Sequence, residues 1–103
     1  MARLAHHVFF TLKDRSEQAI STLVAACQEH LDGHPGQVGF DVGVREPDYD
    51  REVNQDYDVS LHTVFADRAA HDAYQQAARH LEFIAKHKDN WEKVCVFDSN
   101  LAD

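Results

Sequence analysis

The segment Leu4–Leu12, LAHHVFFTL, constrains the fold more than any other stretch of the chain. Read as a strand, it sends His6, Val8, Phe10 and Leu12 to one face and Ala5, His7, Phe9 and Thr11 to the other. Both faces are substantially apolar, whereas an antiparallel strand with one wet face alternates apolar with polar residues. Such a strand must be covered twice, by helices on one side and, most economically, by a partner subunit on the other. Length sharpens the need. A chain of 103 residues makes a single domain, 1–103, and a domain this short buries a smaller share of its surface than a larger one.

The remaining chain supplies the elements for that cover. Asp14 with Glu17 has the spacing of a capping box, and Ser16 is an alternative cap, so a helix starts there. Its apolar stripe is Ile20, Leu23, Val24, Cys27 and Leu31, and Gly33 with Pro35 ends it. Val38, Phe40, Val42 and Val44 alternate with Gly39, Asp41, Gly43 and Arg45, the signature of a second strand in which two glycines leave room for a neighbour or a bulge. The acidic stretch from Glu46 to Asp58 reads as a long, solvated hairpin loop without the turn Gly and distal Glu of a calcium-binding loop. A third strand runs from Tyr57 to Ala66. Asp67 caps a helix carrying Ala70, Ala73, Tyr74 and Ala77, and a second helical piece from about Leu81 places Phe83, Ile84, His87 and Trp91 at compatible positions. Lys93 to Asp98 closes the chain as a strand. The order predicts an α+β, ferredoxin-like βαββαβ fold with an extra short helix before the last strand and helices on one face of a four-stranded antiparallel sheet.

Charge and composition limit the partners. The net charge of -8 repels phosphate, so neither nucleic acid nor an anionic membrane surface is an expected partner. No segment reaches the roughly 18 consecutive apolar residues of a membrane span, and the N-terminus has no small-residue cleavage motif, which points to a cytoplasmic protein. Cys27 and Cys95 belong to no metal-finger or CxxC spacing and read as small core residues.

Chemistry must come from side chains without a catalytic signature. There is no GxSxG elbow and no phosphate loop. A metal site would have to be assembled from distant positions such as His6, His62 and His80; no resident metal or cofactor is expected. Acid–base work by His and Tyr remains, because an imidazole titrates near neutrality and a phenol can hold an oxyanion. Tyr74 and His80, on either side of a helix break, can reach between sheet and helices.

Several spacings together resemble one family. A first strand introduced by His6 in HHVFFTLKD is followed by the helical Tyr74, His80 six residues later, Trp91 eleven after that, and a V-x-V-x-D strand ending at Asp98. From His6 to Asp98 the chain resembles the stress-responsive A/B barrel (Dabb) family. The resemblance implies a homodimeric α+β barrel in which two sheets close on each other. It also implies a small apolar pocket, lined by His6, Val8, Phe10, Ile20, Leu23, Tyr74, His80, Phe83 and Trp91, that takes an aromatic or polyketide-like molecule. Plant polyketide cyclases belong to the family; by similarity to them His80 is a general base, Tyr74 holds the substrate carbonyl and His6 lines the pocket. One departure stands out: Ala77, Ala78 and Arg79 replace the His-Pro that often precedes the second His. A non-catalytic protein acting through assembly is the alternative. Another is a monooxygenase or haem-degrading enzyme of the same barrel type, using His87, Asn90 and Trp91.

Overall fold

A computed structural model of the protein describes residues 2–102. Strand β1 spans Leu4–Leu12, helix α1 Glu17–His30, β2 Gln37–Val44, β3 Val59–Phe65, α2 Arg68–Gln76, α3 Ala78–His87 and β4 Trp91–Asn100, with a 3-10 turn at Lys88–Asn90. The sheet order is β2-β3-β1-β4 with every pairing antiparallel, which is the ferredoxin-like arrangement. Among the described residues no helix is long and apolar enough to cross a membrane.

Local chemistry sets the helix ends. Ser16 Oγ accepts the Ala19 N–H at 3.2 Å, so Ser16 is the cap of α1, and Asp14 supports it by accepting the Ser16 N–H. Asp67 caps α2 through the Ala70 N–H at 2.8 Å. The break between α2 and α3 falls at Ala77, which is extended at φ -65°, ψ 141°. A proline at position 78 would enforce that conformation on the residue before it; here the break forms without one. Ala77 therefore leaves the helical stripe on which the sequence pattern had placed it, and α3 starts at Ala78 rather than near Leu81.

The core lies between sheet and helices. Val8, Phe10 and Leu12 of β1 join Val59, Leu61 and Phe65 of β3 against Leu23, Cys27 and Leu31 of the α1 region. Burial pushes the Cys27 thiol up to about 12, so it is an inert core group. The other sheet face is open: Phe9 touches Tyr57 and Phe97, Cys95 is half-buried, and Phe97 is 58% exposed.

Two strand boundaries differ from the alternation in sequence. Register shifts between Gln37 and Gly39, so Val38 bulges out of the ladder; Phe40 and Val42 pack on the core, while Val38 and Val44 are exposed. Gln37 turns inward instead and donates to the Leu31 carbonyl and to Thr63 Oγ1. Tyr57 lies outside β3 and covers Phe9 on the open face. The acidic loop is accordingly not wholly solvated. Its end is strapped down by Thr11 Oγ1 donating to the Asp56 carbonyl, by a Lys93–Asp56 ion pair, and by buried Asp58, which accepts from the Leu12 N–H and from Arg15.

Candidate functional site

Helix α1 packs on β2 and β3, α2 packs on β3, and α3 packs against both other helices. Between these last two helices and the β1–β4 side lies a cavity of about 280 Å³. Its floor is His6, Val8 and Phe10 of β1 with Val94 and Val96 of β4; its roof is Tyr74, His80 and Phe83. Trp91 stands at one end, drawn in by a register shift opposite Thr11 and Leu12 that sets its ring 5.0 Å from Phe10 and 5.6 Å from Phe83. Seven of the nine residues expected around the pocket line this cavity. The other two do not: Ile20 packs against the core, and Leu23 borders a separate depression. They belong to α1, whose C-terminal cap, Leu31, does line the cavity.

Tyr74 and His80 are buried and face each other with ring centroids 4.6 Å apart. Among the described residues Tyr74 Oη and His80 Nδ1 are both buried without a hydrogen-bond partner, as is Trp91 Nε1. An unpaired buried polar atom costs about 1–3 kcal/mol, so three on residues of one cavity are what a ligand with polar atoms would relieve. Their protonation is fixed by burial. Desolvation pushes the Tyr74 phenol well above its usual range, which keeps it a neutral donor. It also pushes His80 down to about 4, helped by His6, His34 and His71 and opposed by a backbone bond to Gln75. His80 is thus an uncharged imidazole at neutral pH.

Around His6, which the sequence did place in the pocket, the rim adds residues that it did not single out as a site. His6 Nδ1 lies 2.5 Å from Asp98 Oδ1, a contact made by the β1–β4 register in which His6 faces Asp98. His71 and Gln75 of α2 also line the cavity. His71, Tyr74 and Gln75 occupy one helix face at i, i+3 and i+4, and that spacing was available to find them. Burial lowers the His6 pKa, while Asp98 opposes that shift.

Other histidines serve the fold. His34 contacts the His30 carbonyl through Nε2 at 2.7 Å and packs edge-on against Tyr74. His62 stacks on His7 on the open sheet face, with centroids 4.3 Å apart, so a cluster of His6, His62 and His80 cannot assemble. Antiparallel pairing puts Thr63, not His62, opposite His6. His87 and Asn90 border the depression beside Leu23 rather than the main cavity. Asn90 is held by both Asp14 backbone groups.

No curated protein sequence matches the chain. Solved structures share its fold. A Dabb family protein with a ferredoxin-like fold from Mesorhizobium loti is 23% identical, with all of both chains covered and a TM-score of 0.82. A dimeric ferredoxin-like protein of unknown function from Thermobifida fusca is 14% identical, covering 97% of this chain and 92% of its own, TM-score 0.83. The hydroxynitrile lyase of Passiflora edulis is 16% identical, covering 99% and 95%, TM-score 0.83. Residues 4–101 match the sequence profile of the stress responsive A/B barrel domain, and the chain belongs to that family.

Proposed function

We propose that the protein is a homodimer in which each subunit binds a small aromatic or polyketide-like carbonyl compound in the Tyr74–His80 cavity and moves a proton on it without a cofactor. The observation that carries this reading is the pair of unpartnered buried atoms, Tyr74 Oη and His80 Nδ1, in one largely apolar cavity. A donor held neutral by burial suits a carbonyl oxygen, and an uncharged imidazole beside it suits an acidic C–H next to that carbonyl. In the step this allows, His80 takes the proton and Tyr74 holds the enolate oxygen. The enolate carbon then forms a bond to a second carbonyl of the same molecule, and His80 returns the proton to the new alkoxide. Atoms balance as an intramolecular aldol cyclisation. A volume near 280 Å³ lies at the small end of ligand pockets, about 300–1,000 Å³, and so favours single-ring products. The occurrence of a hydroxynitrile lyase on this fold supports a catalytic use of it.

Trp91 is the only tryptophan and lines the cavity, so its fluorescence reports occupancy. Titration with phenolic and 1,3-dicarbonyl compounds should give saturable quenching. Tyr74→Phe should bind the same ligands roughly 10-fold more weakly, the worth of about one hydrogen bond, yet be more stable by about 1 kcal/mol because an orphaned hydroxyl is gone. Equal ligand affinity in the two proteins would remove Tyr74 from the site.

The second copy is assigned to the open sheet face. Phe9, Cys95 and the exposed Phe97 lie there on adjacent strands, and the Thermobifida protein of the same fold is dimeric. Phe97→Arg would place an unpaired charge in that interface. Sedimentation should show twice the 11.7 kDa chain mass for the native protein and the single-chain mass for the variant. A native monomer at high concentration would refute the assignment.

A further inference from the structure

His6, His71 and Asp98 bring three donor atoms from β1, α2 and β4 to one point at the cavity rim. His6 Nδ1 lies 2.5 Å from Asp98 Oδ1 and 3.3 Å from His71 Nε2, and His71 Nε2 is 4.0 Å from Asp98 Oδ1. Bonds of about 2.0–2.2 Å at tetrahedral angles hold neighbouring ligand atoms roughly 3.3 Å apart. The edge between the two histidines already has this length. The other two edges bracket it, and a rotation of the Asp98 carboxylate away from His6 and toward His71 corrects both together. That side chain is 42% exposed, which leaves it room to turn.

We propose that His6, His71 and Asp98 form a binding site for one divalent transition-metal cation of the Zn²⁺ class. This revises the expectation that the chain has no metal site, and it does not depend on the acid–base reading of Tyr74 and His80.

Four features support the site. Among the described residues Asp98 has no Lys or Arg partner; its ion-pair contacts are the two histidines. In a chain of net charge -8 that carboxylate thus sits between two imidazoles. A supporting shell is within reach. Asp72 Oδ1 lies 3.7 Å from His71 Nδ1, a small side-chain rotation short of the hydrogen bond by which a carboxylate orients a ligating imidazole, and the Gln75 amide lies 3.1 Å from His71 Nε2, where its oxygen can turn in as a further ligand. An ion has a route: a depression of about 250 Å³ bordered by Arg68, Asp72 and Ser99 shares His71 and Asp98 with the main cavity. The donor set chooses the ion, since two imidazoles with one carboxylate suit Zn²⁺, Co²⁺ or Fe²⁺, whereas Mg²⁺ and Ca²⁺ require oxygen ligands.

The test is a titration of the chelator-stripped full chain with Zn²⁺ by calorimetry and with Co²⁺ by visible absorption. One equivalent per chain should bind, with Co²⁺ giving the intense d–d bands of a low-coordinate site and Mg²⁺ failing to compete. His71→Ala and Asp98→Asn, each checked for fold by circular dichroism, should each weaken binding by about 100-fold. His62→Ala, on the opposite sheet face, should bind as the native chain does. If His71→Ala does not fold, the near-isosteric Asp98→Asn decides alone. No saturable binding below about 1 mM, or native-like binding in Asp98→Asn, or loss of binding in His62→Ala, would overturn the site.

Discussion

Replacing His80 by alanine should lower turnover of a 1,3-dicarbonyl or polyketide-like substrate by about 10²–10⁴-fold, the usual contribution of a general base. Because the ring also packs on Tyr74, with centroids 4.6 Å apart, the fold of the variant is checked by circular dichroism before turnover is compared. Steady-state kinetics of the native chain and the variant measure the loss, and unchanged product formation would take His80 out of the reaction. The acid side of the pH profile gives a sharper check. The reaction needs the uncharged ring; burial holds its pKa at about 4, well below the ordinary 6.5. The groups around it that carry or can carry charge are His6, His34 and His71, each of which disfavours a second positive charge there. Activity should therefore be flat as pH falls from 7 through 6.5 and decline only as it approaches 4. A decline centred near 6.5 would assign the base to an exposed histidine instead. The low value also carries a cost, since a base of pKa about 4 is a weak proton acceptor at neutral pH. Tyr74 compensates for it: hydrogen bonding to the carbonyl acidifies the neighbouring C–H, so the two residues should fail together. In Tyr74→Phe/His80→Ala, the loss should be clearly smaller than the product of the single losses.

Gly36→Ala should destabilise the protein by about 2–4 kcal/mol, adding the left-handed strain of roughly 1–2 kcal/mol to a steric clash. Gly36 has φ +79°, and a Cβ at that position would collide with the Ala70 Cβ of α2. Its carbonyl also accepts the Ala66 N–H at 2.7 Å, so the turn before β2 and the end of β3 are locked together and cannot retreat. Gly33 makes the internal control. It has φ +78°, but a Cβ there would meet nothing within 4 Å, so Gly33→Ala should cost only the backbone term. For a domain of this size each kcal/mol moves Tm by about 4–8 °C, and the two variants should separate by several degrees in a melting experiment. Equal melting temperatures would show that α2 moves aside, with a direct consequence for the site, because α2 carries both His71 and Tyr74.

Features governed by short-range physics were readable from residue order. Alternation placed β1 with two apolar faces, Asp67 and the alternative cap Ser16, rather than Asp14, stood where the helix caps form, and Tyr74 and His80 straddled a break between two amphipathic pieces. The helix break held without proline because extended backbone at Ala77 is accessible to alanine; packing of Tyr74 and His80 against each other then fixes the angle. Errors came where a neighbour in space competes with the local pattern. Val38 leaves the ladder while Gln37 turns inward to Leu31 and Thr63, and Tyr57 leaves its strand to cover Phe9. Ile20 and Leu23 lie on the correct face of α1, but α1 covers the wrong part of the sheet to reach the cavity.

By itself, then, the sequence determined the elements, their order and the two residues that flank the helix break, since capping, alternation and helical spacing act within a few positions along the chain. Tertiary structure alone decided that Trp91 and the trio of His6, His71 and Asp98 line one cavity. Those three come from separate elements far apart in the chain and meet only through the β1–β4 register and the packing of α2 on β3. Burial decided the chemistry as well. An imidazole's pKa depends on what removes water from around it, and for His80 that is the cavity wall assembled from the whole fold.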